Sequence, residues 1–143
     1  MLLKRTKFAC GAGAALLLAL PAAGREATLY ERIGGRPVLQ QVVDQTLTRV
    51  AGDPAVNQSF AKVNMHHLAA KVTDELCALT GGGCPRNEDS EKTLHAGLNI
   101  TEREFYSMVE ALREALDRCA VGTTEKNELL RILAPMKRDV VTR

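Results

Sequence analysis

His95 stands where a histidine could bind a metal. It ends a polar segment that contains glycine, and the six residues after it lead directly to a strong helix start. Thr101 followed by Glu104 is a capping box, in which each side chain bonds the other residue's backbone, so a helix is predicted to begin there. A histidine held just before a capped helix can face a flat cofactor while that helix forms one wall of the pocket. A lone histidine is more often a surface or satisfied core residue, so this prediction depends on the motifs around it.

Lys71 is a second candidate because it lies between Leu68 and Val72 on an apolar helical stripe. Its side chain therefore starts from the pocket side of the helix rather than from the opposite face. Two interpretations stay open: the long stem carries the ammonium out to solvent, or the amine serves as a polar group or reversible metal ligand. His66 and His67 are about 100° apart on a helix and are predicted to be surface residues.

The N-terminal segment determines the predicted compartment. Residues 1–24 have three basic residues among the first seven, continue through an apolar run and end with small residues, which is the three-part pattern of a secretory signal. The apolar run is short for a permanent membrane anchor, although an uncleaved anchor is the alternative. We therefore predict a signal peptide over 1–24, cleavage after Gly24, and a mature domain over 25–143 with no stable membrane span. The predicted location is a bacterial periplasm.

The charge balance argues against nucleic-acid binding. The chain of 143 residues has 19 Lys and Arg against 17 Asp and Glu, but three of those bases and no acid lie in the first 24 residues. The mature domain therefore carries 16 bases against 17 acids, and the positive excess belongs to the leader. With no Trp, two Tyr and three Phe, the chain also lacks an aromatic surface on which bases could stack.

Apolar residues recur every three or four positions in four segments, which predicts an all-α domain with one modest core. The first segment starts near Pro37, and the second carries the apolar stripe around Leu68 and ends at Gly81–Gly83. The third starts at Thr101, and the fourth spans about Thr124 to Val141. No alternating apolar run indicates a strand. Residues 81–94 are rich in Gly, Asn, Asp and Ser, and a polar loop this long inside a domain is usually functional.

Motifs that occur in order from roughly Thr28 to Val141 resemble the group I truncated haemoglobins. They are Leu29-Tyr-Glu-Arg-Ile-Gly-Gly35, the segment Phe60 to Met65, the pair Gly81-Gly82, and the segment His95 to Phe105. The likeness is greatest to exported proteobacterial members with the pattern Cys-Ala-Leu-Thr-Gly-Gly-x-Cys, here Cys77 to Cys84. The resemblance implies a truncated globin fold, a two-over-two helical sandwich around haem. A loop, here residues 81–94, would replace most of the proximal helix.

The resemblance also implies a cofactor site. His95 would be the proximal ligand of haem iron, and Lys71 would be a distal ligand, a distal donor or a partner of a haem propionate. The haem would be non-covalent haem b (iron protoporphyrin IX), since the chain has no Cys-x-x-Cys-His motif and Met136 replaces a histidine that some relatives bond to haem. The other residues predicted to contact haem are Phe60, Leu47, Leu68, Val72, Leu98, Ile100, Phe105, Met108 and Leu133.

Two departures from the family pattern bear on ligand binding. Thr46-Leu47 stands where many members have Phe-Tyr, and that tyrosine hydroxyl normally hydrogen-bonds the gas ligand, so tight oxygen binding is not expected. Glu91 stands where a methionine is common, one turn before His95. An iron-bound imidazole normally donates its second N–H to a backbone carbonyl or a carboxylate.

The oxidising compartment would favour a disulfide between Cys77 and Cys84, which would join the second long helix to the glycine loop. Cys119 is then left over, and we expect a buried free thiol there rather than a bond to another chain. Zinc is a weaker alternative use of the three histidines and three mature cysteines, since their spacing matches no standard zinc pattern.

The predicted function is reversible binding of oxygen or another diatomic gas, such as nitric oxide or carbon monoxide, at a His-ligated haem iron. The first alternative is a haem enzyme, either a nitric oxide dioxygenase or a weak peroxidase. It would need an unidentified reductase or a polar distal acid or base, whereas the predicted distal residues are mostly apolar. The second alternative is a small exported helical adaptor without haem.

Overall fold

The computed structural model describes Cys10 and residues 24–143, so the predicted signal peptide, apart from Cys10 and Gly24, lies outside the described residues. The described part of the chain is all-α, as the sequence predicts. Within it, no helix is both long enough and apolar enough to cross a bilayer. The helices are α1 (Leu29–Ile33), α2 (Gly35–Ala51), α3 (Met65–Leu79), α4 (Glu91–His95), α5 (Glu102–Arg118), α6 (Thr123–Leu133) and α7 (Lys137–Val140).

The core lies where α2 packs against both α3 and α5. Helix α2 supplies half of the largest fully buried side chains, and the others are Val56, Cys77 of α3, Leu116 of α5 and Leu129 of α6. Burial of one such aliphatic side chain contributes about 1.5–3 kcal/mol, so this shared core stabilises the frame on which the site is built. The four long helices α2, α3, α5 and α6 are those of the predicted two-over-two sandwich.

Local sequence signals fix several helix ends. The Thr101 hydroxyl accepts the Glu104 backbone N–H at 3.2 Å, and the Glu104 carboxylate accepts the Thr101 N–H at 2.8 Å, so the predicted capping box is present. Gly34 separates α1 from α2 in a left-handed conformation with φ of 116°. A Cβ added there would lie 2.6 Å from Val38 Cγ2, so glycine is required both for the turn and for the space.

The structure differs from the predicted helices at two places. The fourth segment is not one helix, because Pro135 lacks a backbone N–H and the chain forms a 3₁₀ turn over Ala134–Met136 between α6 and α7. The polar segment before His95 is also not entirely a loop, since its last residues form the short helix α4. His95 therefore ends a helix instead of a loop, and the connection of residues 96–101 follows it.

Candidate cofactor site

Helix α4 holds His95 at its last position. Ser90 is the N-cap of this helix, and its hydroxyl accepts a hydrogen bond from the backbone N–H of Thr93 at 3.2 Å. This cap satisfies one of the free donors at the start of the helix and stabilises an element that is too short to form alone. The sequence predicts His95 as the key residue, and the structure adds the turn of helix that orients it.

The hydrogen bond of the His95 ring determines which nitrogen is free to bind a metal. Nδ1 lies 2.7 Å from the backbone carbonyl oxygen of Glu91. A carbonyl oxygen only accepts, so Nδ1 carries the proton in this bond and Nε2 keeps its lone pair. The arrangement is the one that a histidine ligand needs, with one nitrogen anchored to the protein and the other available to a metal.

Glu91 contributes a second group beside the same ring. One of its carboxylate oxygens, Oε2, lies 3.5 Å from His95 Nδ1, and both side chains are mostly buried, with 21% of Glu91 and 27% of His95 exposed. At that distance the carboxylate is a neighbouring charge rather than the main acceptor, which is the carbonyl. In the sequence, Glu91 stands out only as a departure from the family pattern. Its spacing of four residues from His95 was the signal that places the two on one helix face.

The surroundings of His95 fit a flat, largely apolar group. Leu94 and Leu98, close to the histidine on either side in sequence, are 43% and 52% exposed. Large apolar side chains left this open indicate a surface that a ligand covers. The donor set also fits haem b, because a neutral imidazole with an anchored second nitrogen is a common haem ligand.

The other predicted contact residues fall into three groups. Leu47 is buried in the core of α2, and Thr46 beside it uses its hydroxyl to bond the Val42 carbonyl at 2.7 Å. Lys71 is exposed on α3, as are His66 and His67, which agrees with the surface position predicted for the two histidines. Leu98 is exposed. The remaining predicted residues are half-buried, and they are Phe60, Leu68, Val72, Ile100, Phe105, Met108 and Leu133.

The C-terminal residues hold the connection that follows His95. The Ile100 carbonyl accepts backbone hydrogen bonds from the N–H groups of Thr142 at 2.9 Å and Arg143 at 3.2 Å, and the Ile100 N–H donates to the Thr142 hydroxyl at 3.1 Å.

Lys137 of α7 contacts the start of α5. It pairs with Glu102 and lies over the ring of Tyr106, 4.7 Å from its centroid. Both partners raise the pKa of Lys137, with the Glu102 hydrogen bond the larger cause. Sequence reasoning missed these contacts, since they join residues far apart in the chain.

The carboxylate of Glu104 connects the start of α5 with the turn that carries Phe60. Glu104, at the start of α5, accepts the Ser59 hydroxyl at 2.7 Å, and Ser59 precedes Phe60 in the 3₁₀ turn Asn57–Phe60. The backbone N–H of Thr101 lowers the pKa of Glu104 below its ordinary value, and the Ser59 hydroxyl lowers it further. The same residue therefore caps α5 next to the His95 connection and anchors the turn that carries Phe60.

The end of α3 is tied firmly to the segment after it. Cys77 and Cys84 form a disulfide, as the sequence predicts. The buried carboxylate of Glu75 accepts a hydrogen bond from Arg86 at 2.9 Å and a longer one from the Asn87 backbone N–H at 3.4 Å. A Cβ on Gly82 would lie 2.5 Å from Cys77 Sγ, so only glycine lets the chain pass this close to the disulfide.

Cys119 is not a free thiol in the full chain, whereas the free thiol was predicted for the mature domain that lacks Cys10. It is paired with Cys10, with Cα atoms 5.1 Å apart, a separation within the normal range for a disulfide. Cys10 lies within the predicted signal peptide, so this pair belongs to chains that keep that segment. Within residues 24–143 and Cys10, no group of three His, Cys, Asp or Glu side chains could hold a metal ion, so the zinc alternative has no site there.

Comparisons with known proteins agree with this geometry. Residues 28–142 match the model of the family described as bacterial-like globin. The chain is 31% identical over 116 residues to the group 1 truncated hemoglobin GlbN of Mycolicibacterium paratuberculosis, covering 81% of this chain and 85% of that protein. It is 34% identical over 119 residues to GlbN of Nostoc sp. (strain MUN 8820), covering 77% of this chain and 93% of that protein.

A solved structure shows the same similarity in three dimensions. The Fe(III) truncated hemoglobin of Tetrahymena pyriformis superposes with a TM-score of 0.77 at 25% identity, covering 82% of this chain and 100% of that one. The sequence match, the fold and the anchored histidine therefore agree, and the chain belongs to the bacterial-like globin family and, within it, to the group 1 truncated haemoglobins.

Proposed function

We propose that this globin holds non-covalent haem b through Nε2 of His95 and reversibly binds a diatomic gas such as oxygen, nitric oxide or carbon monoxide. One observation carries the assignment of His95. Its Nδ1–H is committed to the Glu91 carbonyl at 2.7 Å, which leaves Nε2 free for a metal, and Leu94 and Leu98, its near neighbours in the sequence, are exposed. Haem supplies the reversible gas-binding chemistry when it is bound.

The residues of the chain have distinct parts in this function. His95 supplies the nitrogen donor, and the carbonyl of Glu91 orients its ring. Apolar side chains would cover the haem and keep water from it, which favours retention of a neutral gas over charged ligands. Leu47 has no proton to offer a gas ligand, so a polar contact on the gas side must come from another residue.

Lys71 is the residue to which we assign that contact. It lies on α3 between the half-buried Leu68 and Val72, and it is exposed. None of the ion pairs found among the described residues involves Lys71, so its ammonium is available to a ligand. The competing role is a contact with a haem propionate or with solvent alone.

We also propose that the protein is of the exported proteobacterial type and that cleavage after Gly24 releases residues 25–143 into a periplasm. The composition of residues 1–24 supports this, and a disulfide between Cys77 and Cys84 is typical of oxidising compartments. Cleavage there would remove Cys10 and return Cys119 to a free thiol.

Replacement of the histidine tests the central proposal. His95→Gly should lose most of its haem and the parent's absorbance spectrum, because the iron loses its anchored donor, and added imidazole should partly restore both. The matched control is His67→Gly, since His67 is an exposed histidine on α3. The control should keep haem content and spectrum unchanged. Full haem retention with the parent's spectrum in His95→Gly, without imidazole, would show that another residue binds the iron.

A further inference from the structure

Glu91 presents two different groups to His95. Its backbone carbonyl accepts the Nδ1–H at 2.7 Å, and its carboxylate Oε2 lies 3.5 Å from the same nitrogen. The carbonyl contact comes from the helical backbone, four residues before the histidine, and any residue at position 91 could provide it. The carboxylate is the part that depends on glutamate.

The charge of that carboxylate is not cancelled by a neighbouring ion pair. Within the described residues, its one ionisable partner within 4 Å is His95 itself, and no Lys or Arg pairs with it. By contrast, Glu75 is paired with Arg86, and Glu102 is paired with Lys137. With only 21% of the Glu91 side chain exposed, water screens its charge less than it screens an open surface carboxylate.

We propose that Glu91 is a positioning residue whose carboxylate sets how strongly Nε2 of His95 donates electrons to the iron. This inference rests on the proposed binding of haem by His95. A negative charge beside Nδ1–H draws the proton outward and makes Nε2 a stronger electron donor. It acts through the histidine and touches neither the gas nor the iron.

The consequence is a bias in the one-electron couple of the iron. Ferric haem accepts one electron and becomes ferrous, with no proton or bond change required of Glu91. The ferric state carries one more positive charge, so a nearby carboxylate stabilises it relative to the ferrous state and lowers the reduction potential. This chain should therefore rest in the ferric form and should need a stronger reductant than a relative with an uncharged residue at this position.

Three substitutions separate charge from shape. Glu91→Gln keeps the size of the side chain and removes its charge, Glu91→Met introduces the residue common at this position in the family, and Glu91→Asp keeps the charge. The haem-loaded proteins would be compared by spectroelectrochemical titration of the midpoint potential and by the iron–histidine stretching frequency of the ferrous form. The matched control is Glu88→Gln, the same chemical change at an exposed position before α4.

The Gln and Met variants should shift the ferric/ferrous equilibrium toward ferrous by about tenfold, or ~59 mV for a one-electron couple. Their iron–histidine stretch should move to lower frequency, while the Asp variant stays near the parent and the Glu88 control does not change. An unchanged potential and stretch in both uncharged variants would overturn the inference, as would an equal shift in the Glu88 control. Failure of this inference is distinguishable from failure of the proposed function, because the His95→Gly variant tests separately whether His95 binds the iron at all.

Discussion

Two regions on either side of the site are built in opposite ways. The end of α3 is secured by the fully buried Cys77, its disulfide to Cys84 and the buried Glu75 with its hydrogen bonds from the following segment. From Glu91 to Thr101, around His95, no described residue is buried, and Leu98 is half exposed. The first region is stabilised by the protein alone, whereas the second lacks a core contact of its own. A bound cofactor that covers the second region would therefore stabilise it by mass action, and the first region would gain little.

Loss of the Cys77–Cys84 disulfide should have the largest effect on the rigid region. Replacing both cysteines with serine should cost about 2–3 kcal/mol of unfolding free energy, because the unfolded chain is no longer constrained by the short loop. Denaturant unfolding of the haem-loaded protein that begins at Arg25 would measure this cost. Cys119→Ser is the control there, since Cys119 has lost its partner Cys10 in that protein. The frequency of the iron–histidine stretch should stay unchanged, since His95 belongs to the other region.

Thiol counting on exported protein checks the same bridge together with the proposed cleavage. Protein whose mass begins at Arg25 should contain one free thiol, that of Cys119, because Cys10 has been removed. Three free thiols in carefully prepared exported protein would contradict the Cys77–Cys84 bridge. A mass that includes Met1, with no free thiol, would contradict cleavage and support the Cys10–Cys119 pair instead.

Removal of Lys71 tests whether α3 supplies the polar contact that Leu47 cannot. A hydrogen bond from a charged group is worth roughly 1.5–3 kcal/mol, so Lys71→Ala should speed oxygen release about ten- to hundredfold. Stopped-flow measurement of oxygen dissociation would detect this, and Lys62→Ala, an exposed lysine before α3, is the control. Oxygen release at the parent's rate would show that Lys71 contacts a haem propionate or solvent instead of the gas.

The smallest predicted effect concerns the carboxylate of Glu104, which bonds both Thr101 and Ser59. The pKa of Glu104 is lowered from an ordinary value of 4.5. Its contribution to stability is therefore fully present above that pH and is lost as the pH falls through the lower value in the folded protein. Glu104→Gln should be less stable at neutral pH and should lose less further stability below pH 4.5 than the parent.

The measurement is the unfolding free energy as a function of pH, with the exposed Glu88→Gln as the control. Thr101→Ala provides a second check at the same cap and should cost about 0.5–2 kcal/mol at neutral pH. An acid profile of Glu104→Gln that parallels the parent's would show that the hydrogen bonds from Thr101 and Ser59 do not hold this carboxylate ionised.

The parts of the fold that the sequence predicted are those set by neighbours along the chain. The helical periodicity, the Thr101–Glu104 cap and the histidine before α5 depend on spacings of three to seven residues, and all were readable. The break at Pro135 was equally local, but the apolar stripe continued across it and suggested one helix. The pairing of Glu91 with His95 was readable as well, from their spacing of four.

The contacts that could not be predicted join polar residues distant in sequence. Ser59 and Glu104 are 45 residues apart, and Ile100 and Thr142 are 42 apart. Serine, threonine and backbone groups form such bonds at many surface positions, so their residue types carry no information about the partner. Cys10 and Cys119, 109 residues apart, add a second obstacle, because the same N-terminal segment also has the pattern of a removable signal.

The 3₁₀ turn at Pro135 changes what the end of this chain can reach. A single straight helix from Thr123 to Val140 would extend for about 27 Å along one line and carry its last turn away with it. In the structure a 3₁₀ turn interrupts that path, and α7 after it packs against α4, while Thr142 and Arg143 donate backbone hydrogen bonds to the Ile100 carbonyl. The last residues of the sequence thus brace a segment formed some forty positions earlier.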